Sequence, residues 1–269
     1  MIHFTLRGGL ANMMFQIAAV KSIAMDNNTD CSFHSLDNHL TYLNQHRHLN
    51  RRMGDAFEYK KLNFIKDLRT DPLPQNVIPY YYPFHYEHKE LIGEEIGLDG
   101  FFQSEKYFKN NEKEIRFLFR PTDEIVETIK ERYSDLLTYR TTSIHVRRGD
   151  YLNHPNHHPV QTLDYYRQAL SLTKDVTDKY VIFSDDVAWC KSVFIGDEFI
   201  FIENEKDYIE LYLMSMCNNN IIANSSFSWW GAWLNNHQDK IVVGPINWFG
   251  IAYRTWNTND VLPNEWIKI

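Results

Sequence analysis

This 269-residue sequence predicts an α/β fold built from two Rossmann-like halves, and three observations carry the prediction. Short runs of β-branched and aromatic residues recur along the C-terminal half. Segments of helical length, with apolar residues three and four apart, separate them. The N-terminus opens on a strand, a glycine turn and a helix. Strands that alternate with helices in this way form a parallel sheet covered on both faces.

Taken in order, "IHFTL" (2–6) reads as the first strand and "RGGLAN" (7–12) as a tight turn. The helix that follows places Phe15, Ala18, Ala19 and Ile23 on one face. "VIPYYYPF" (77–84) carries proline on both sides of three tyrosines, which suits an edge segment or loop rather than a central strand. "PTDEIVETIKERY" (121–133) has proline at its start and acids in its first turn, a helix opening that complements the helix dipole.

The C-terminal half predicts strands at 141–146, 179–184, 198–202, 220–225 and 239–245. Helices are predicted between them at 163–173, 186–194, 207–217 and 226–236, with the spacing of Ile209, Leu213 and Met216 as an example. The division between halves falls in "SDLLTYRT" (134–141), giving an N-terminal domain of 1–138 and a C-terminal domain of 139–269. There is no internal repeat and no low-complexity tract.

A chain with 43% hydrophobic and 15% aromatic residues buries enough apolar surface to fold, which excludes disorder. A formal net charge of −7 excludes general nucleic-acid binding, which needs a basic face, but not a small anion held locally. Cys31, Cys190 and Cys217 are widely spaced, form no metal-ligand pattern and suit a reducing compartment. The start lacks a basic leader followed by an apolar run, and no stretch reaches the roughly 18 apolar residues of a spanning helix. The expected location is cytoplasmic, with peripheral contact with a membrane surface left open.

In a doubly wound sheet the ligand crevice lies beyond the carboxyl ends of the strands. "SIHVRRGDY" (143–151) places Arg147, Arg148 and Asp150 there. A guanidinium keeps its proton and offers a planar fork of donors, which suits phosphate. Strand alternation puts His145 and Arg147 on one face and Val146 and Arg148 on the other. The two arginines then have different tasks, one holding phosphate and the other braced by Asp150. An ordinary solvated ion pair is the alternative reading.

"FSDD" brings Ser184, Asp185 and Asp186 to the end of the next strand. They could bind a metal, bind sugar hydroxyls or cap the helix, and capping by Ser184 or Asp185 is preferred. Asn224, Ser225 and Ser226 occupy a strand-to-helix turn, which serves either as an anion site or as a set of caps. Trp229, Trp230 and Trp233 have core spacing. Arg7, Gly8, Gly9 and Asn12 form a glycine loop without the full dinucleotide fingerprint. The histidine runs at 39–52 and 153–159 have no zinc spacing; both are expected at the surface, the second as a mobile loop.

Four stretches together resemble the α-1,2-fucosyltransferases of glycosyltransferase family 11. They are "RGGLANMMFQIAA", "GFFQSEKYF" (100–108), "SIHVRRGDY" and "NSSFSWWGAWL", with "FSDDVAWC" between the last two and "VGPINWF" after them. The resemblance implies a GT-B-like architecture, two Rossmann-like domains facing across a cleft, with the C-terminal domain holding GDP-fucose and the N-terminal domain on the acceptor side. It also implies an inverting transfer of L-fucose from GDP-fucose to the 2-hydroxyl of a galactose-terminated oligosaccharide or glycolipid. GDP-fucose is then a substrate, and neither a cofactor nor a metal is expected.

In that picture Arg147 contacts the donor diphosphate, and His145, Arg148 and Asp150 shape the site. Asn224, Ser225 and Ser226 add contacts from the helix N-terminus, and Asp185 or Asp186 contacts the sugar or nucleoside. Arg7, Gly8, Gly9 and Asn12 close the cleft from the other domain. Asp150 is the chemically suitable base; a dissociative transition state that releases the proton late needs none. The family's Gly-Asn-Gln in the first motif is replaced here by Ala11, Asn12 and Met13. Two other readings remain, a transferase using another nucleotide-sugar and a non-catalytic glycan- or nucleotide-binding protein.

Overall fold

The computed structural model describes residues 1–46 and 55–269. They fall into two compact units. Of the described residues, the first comprises 1–46, 55–120 and 256–263, and the second comprises 121–255 and 264–269.

In the first unit the elements are β1 (Ile2–Thr5), α1 (Leu10–Asp26), β2 (Cys31–His34), α2 (Leu36–Gln45), α3 (Asn63–Lys66), β3 (Ile78–Tyr81), β4 (Ile96–Asp99) and α4 (Glu112–Leu118). The four strands form a parallel sheet in the order β2-β1-β4-β3. β3 lies at the edge, where Pro79 has no central ladder position to spoil. Phe15, Ala18 and Ala19 of α1 are fully buried, while Ile23 of the expected face is only half-buried.

The second unit runs α5 (Asp123–Tyr133), β5 (Thr141–Val146), α6 (Leu163–Thr173), β6 (Lys179–Ser184), α7 (Val187–Val193), β7 (Phe199–Phe201), α8 (Asp207–Met216), β8 (Asn219–Ile221), α9 (Ser226–Leu234), β9 (Val242–Gly244) and β10 (Ile267–Lys268). Its parallel strands are ordered β10-β9-β8-β5-β6-β7, the doubly wound order whose direction of winding reverses between β5 and β8. Ile144 and Val146 of β5 pack with Ile182, Tyr166, Cys190 and Phe194 on the face covered by α6 and α7. Ser143 and His145 point the other way, toward α8 and α9: Asn220 Nδ2 donates to Ser143 Oγ (2.7 Å) and to the Met214 carbonyl (2.9 Å). Trp229, Trp230 and Trp233 of α9 are buried, in agreement with their core spacing.

The units divide the chain differently from the sequence boundary at 138/139. α5 belongs with the second unit because Arg132 Nη1 donates to both oxygens of the buried Glu205 (3.0 and 2.8 Å) and the Tyr133 hydroxyl adds a third bond (3.0 Å). Residues 256–263 return to the first unit, where Asp260 accepts the Tyr86 N–H (2.7 Å) and Trp256 stacks on Phe84. Such pairings join residues more than 70 positions apart, which local pattern does not encode. The strands predicted at 220–225 and 239–245 are shorter than expected, and β10 carries only two residues.

The central strand of the second unit is the test of this packing. Replacing the fully buried Ile144 by alanine is expected to cost about 2–5 kcal/mol, read as a lowered urea midpoint at unchanged slope.

Candidate active site

The backbone of β5 is buried along its whole length, and the chain emerges from it at Arg147. This is the carboxyl end of the strand next to the switch point, where a doubly wound sheet opens a crevice. Two guanidinium groups meet three carboxylates there. Arg147 Nη2 lies 2.6 Å from Asp150 Oδ1, and its Nη1 lies 3.0 Å from Asp185 Oδ2. Arg148 Nε donates to Asp186 Oδ2 at 3.0 Å, and its guanidinium stacks 4.0 Å over the Trp189 ring.

The two arginines do have different surroundings, but the expected brace is corrected. Asp150 pairs with Arg147, not Arg148; Arg148 is held by Asp186 and by Trp189 on α7, the helix that covers the Val146 face. The helix cap is corrected too. Asp186, rather than Ser184 or Asp185, caps α7 by accepting the Trp189 N–H (3.2 Å), while Ser184 Oγ accepts the Asp186 N–H (2.9 Å). Asp185 is thereby free of capping. It accepts the Arg148 backbone N–H (2.9 Å) as well as the Arg147 side chain. Gly149 makes room for it, since a Cβ there would sit 2.6 Å from Asp185 Oδ2.

Across the switch point, Asn224 and Ser225 follow β8 and Ser226 opens α9. Ser225 Oγ accepts the Phe227 N–H (3.4 Å), so its side chain serves as the cap of α9. Ser226 is half-exposed on the first turn. Asn224 is a structural knot: its Nδ2 donates to the carbonyls of Pro159 and Trp248 (3.0 Å each), and its Oδ1 accepts from Gln161 (3.0 Å). His145 Nδ1 lies 2.9 Å from Ser228 Oγ. The Ser228 hydroxyl also lies within reach of the Ser225 carbonyl (3.3 Å), which ties β5 to the first turn of α9.

Tyr151 joins the two sides and was not singled out from sequence. Its hydroxyl donates to the Asn224 carbonyl (3.0 Å), and its ring lies 5.4 Å from the Arg147 guanidinium. Burial outweighs the opposing charge of Arg147 and pushes its phenol up to about 12, so it stays protonated near neutrality. Trp189 was likewise missed as a partner of Arg148. The only sequence signals were an aromatic directly after Asp150 and another in the first turn after Asp186.

The second histidine run is not the mobile loop expected. Gly250 N–H donates to the His157 carbonyl (2.9 Å) and Ala252 N–H to the Asn156 carbonyl (2.8 Å), while His158 stacks on Tyr151 at 4.8 Å. In the first run, His39 is pinned to the glycine loop, and residues 47–52 lie outside the described residues.

The glycine loop belongs to the first unit and is built separately. Gln16 holds Arg7 by its backbone, accepting its N–H and donating to its carbonyl at 3.0 Å each. The Arg7 side chain pairs with Asp99 and lies 4.9 Å from the Phe101 ring centroid. Gly8 has φ +77°, and a Cβ on it would meet Asn12 Nδ2 at 2.6 Å, so only glycine fits. His39 Nε2 donates to the Gly8 carbonyl at 2.8 Å, and Gly9 precedes the first turn of α1. Asn12 Oδ1 accepts from Gln103 Nε2 (2.9 Å). Met13, at the position of the family glutamine, is fully buried, and Gln103 of the second motif brings an amide to Asn12 instead.

Among the described residues no three His, Cys, Asp or Glu side chains gather in a way that could hold a metal ion, and no helix is long and apolar enough to cross a membrane. What the crevice of the second unit offers is two guanidinium groups, each held by carboxylates, at the strand end next to the switch point.

The family model for glycosyl transferase family 11 matches residues 4–269. The chain is 33% identical to the O-antigen biosynthesis glycosyltransferase WbnK of Escherichia coli over the full length of both. It is 29% identical to an alpha-1,2-colitosyltransferase of Escherichia coli over 98% of this chain and 97% of that one. The fold is similar to that of the fucosyltransferase NodZ from Bradyrhizobium, with a TM-score of 0.52 at 12% identity over 86% of this chain and 92% of that chain. The GT-B-like α/β fold expected from sequence is therefore the fold observed.

Two outcomes test the local network. Tyr151→Phe removes the donor to the Asn224 carbonyl but keeps the ring stack, and is expected to cost about 1 kcal/mol in urea denaturation. Burial holds His158 below its ordinary value of 6.5. Its neutral form therefore stabilises the fold fully above that value, and the contribution is lost as pH falls through the lower folded-state value. His158→Phe is expected to flatten the fall in melting temperature between about pH 7 and pH 5.

Proposed function

The chain belongs to glycosyl transferase family 11, and from that premise we propose that it is an inverting α-1,2-fucosyltransferase. It moves L-fucose from GDP-fucose to the 2-hydroxyl of a galactose residue at the end of an oligosaccharide or glycolipid. The observation that carries the reading is Arg147, fixed at the switch point of the second unit with its guanidinium partly open to solvent.

In the reaction the bond between the anomeric carbon and the β-phosphate oxygen breaks, and GDP keeps the electron pair. The acceptor oxygen attacks from the opposite face, so configuration inverts. Positive character at the anomeric carbon and negative charge on the diphosphate grow together. The second is what a pre-oriented guanidinium stabilises. Arg147 is assigned to the diphosphate, and Arg148, held by Asp186 and Trp189, to the shape and potential of the same pocket.

Ser226 and the first turn of α9 add donors, with Asn224, Ser225 and His145 keeping that turn in place. Asp150 is the carboxylate suited to take the acceptor proton. Arg7, Gly8, Gly9 and Asn12 of the first unit are assigned to the acceptor side. No cofactor or metal is assigned to the reaction.

A second reading of the donor is favoured by the relative named as a colitosyltransferase. Colitose is fucose without its 3-hydroxyl, so a pocket for one nearly fits the other. The loss of one sugar hydroxyl is decided by whether a polar group faces it, a large discrimination when one does.

The test is GDP release from GDP-fucose with lactose or N-acetyllactosamine as acceptor, in excess EDTA, beside GDP-colitose, GDP-mannose and UDP-galactose. Acceptor-dependent release from GDP-fucose is expected. Faster release from GDP-colitose would select the second reading, and GDP binding without release from any donor would favour a binding protein. Arg147→Ala is expected to lower kcat by about 10²–10³-fold, the order lost when one transition-state charge donor is removed, with the fold retained by circular dichroism.

A further inference from the structure

The charges around Arg147 do not balance in favour of an anion. Arg147 and Arg148 contribute two positive charges, and Asp150, Asp185 and Asp186 contribute three negative ones, in two sets of ion pairs joined by the hydrogen bond from the Arg148 backbone N–H to Asp185. A diphosphate arriving at this cluster meets a surplus of negative charge unless one carboxylate moves away. The three carboxylates differ in how firmly they are held. Asp186 is committed twice, to the α7 cap and to Arg148. Asp185 is committed twice, to the Arg148 N–H and to Arg147, and its side chain is only 9% exposed. Asp150 has one described partner, Arg147, and its side chain is 46% exposed.

We propose that Asp150 and Asp185, although both bind Arg147, act in opposite senses on the donor. Asp150 is an internal stand-in for the diphosphate that occupies Arg147 Nη2 and leaves when GDP binds. Asp185 is a positioning residue that stays and aims the guanidinium. The inference rests on the reading of Arg147 as the diphosphate ligand. The exchange couples the two halves of the reaction. Asp150 is released to move toward an acceptor hydroxyl only once the donor has taken its place on Arg147. Donor binding thus makes the base available, and the order of events becomes donor first, acceptor proton second.

Gly149 is part of the device. It lets the Asp185 carboxylate reach Arg147, and a Cβ there would meet Asp185 Oδ2 at 2.6 Å. Gly149→Ala therefore disturbs the positioning carboxylate without changing any charge.

The test is GDP and inorganic pyrophosphate binding by calorimetry to the wild-type chain, Asp150→Asn, Asp185→Asn, Gly149→Ala and Arg147→Ala, each checked by its thermal midpoint. Asp150→Asn is expected to tighten GDP by about threefold, the scale of an exposed ion pair, and to lower KM for the donor. Asp185→Asn is expected to weaken GDP by about tenfold, the scale of a hydrogen bond to a charged group, and Gly149→Ala to weaken it similarly. The double variant of Asp185→Asn and Gly149→Ala is expected to be no weaker than either alone, because both remove one constraint.

Both acid-to-amide changes remove one negative charge, so mere charge removal would tighten GDP in both; that result, or weaker binding in Asp150→Asn, overturns the inference alone. Should Asp185→Asn fail to fold, Gly149→Ala decides, and unchanged GDP affinity in it overturns the inference. GDP binding that is absent from the wild type, or untouched by Arg147→Ala, overturns the donor reading and this inference together.

Discussion

The ion-pair cluster at the end of β5 is the constraint around which the second unit is organised. A guanidinium at the mouth of a crevice cannot be held in one direction, or partly buried, without partners. Here two adjacent arginines are fixed from different sides, one by carboxylates at the strand ends and the other by a helix cap and an indole. The strand end supplies the direction; Asp150 and Asp185 hold Arg147, and α7 with its cap supplies the partners of Arg148. Gly149 supplies the space between them.

The remainder of the unit keeps that strand end still. Ile144 and Val146 lock one face of β5 against α6 and α7. On the other face, His145 reaches Ser228, and Ser143 accepts from Asn220. Asn220 in turn accepts from Asn235 (2.8 Å), which also bonds the Cys217 carbonyl (2.8 Å), so the ends of α8 and α9 are tied to β8. A fully satisfied buried polar set of this kind fixes one register where apolar packing alone would tolerate several. The result is that the two loops flanking the switch point, after β5 and after β8, are held by the same few residues. Tyr151 closes the arrangement by spanning from Arg147 to Asn224.

The parts of this plan written in local pattern were legible in the sequence. The β-branched run 141–146 and the apolar spacing of 163–173 correspond to β5 and α6 residue for residue. The proline-flanked 77–84 was legible as an edge for the same reason, because proline removes a ladder donor. Arg147, Arg148, Asp150, Asp185 and Asp186 were all identified from strand ends. Their pairings were not, because which carboxylate meets which guanidinium depends on side-chain reach across two strands. The strand predicted from Asn220 begins one residue earlier, at Asn219, since the amides of Asn219 and Asn220 find buried partners in Thr142, Ser143 and Met214. The ordering of 153–159 was hidden in the same way: its partners lie near residue 250, about a hundred positions away.

The central claim is that the crevice at the carboxyl end of β5 receives the diphosphate of a nucleotide-sugar and that Arg147 holds it. A crystal structure of the chain with GDP measures this directly. The account predicts diphosphate oxygens at roughly 2.7–2.9 Å from the Arg147 guanidinium, with Asp185 still bound to Arg147. GDP bound elsewhere on the chain, or with its phosphates out of reach of Arg147, would contradict it.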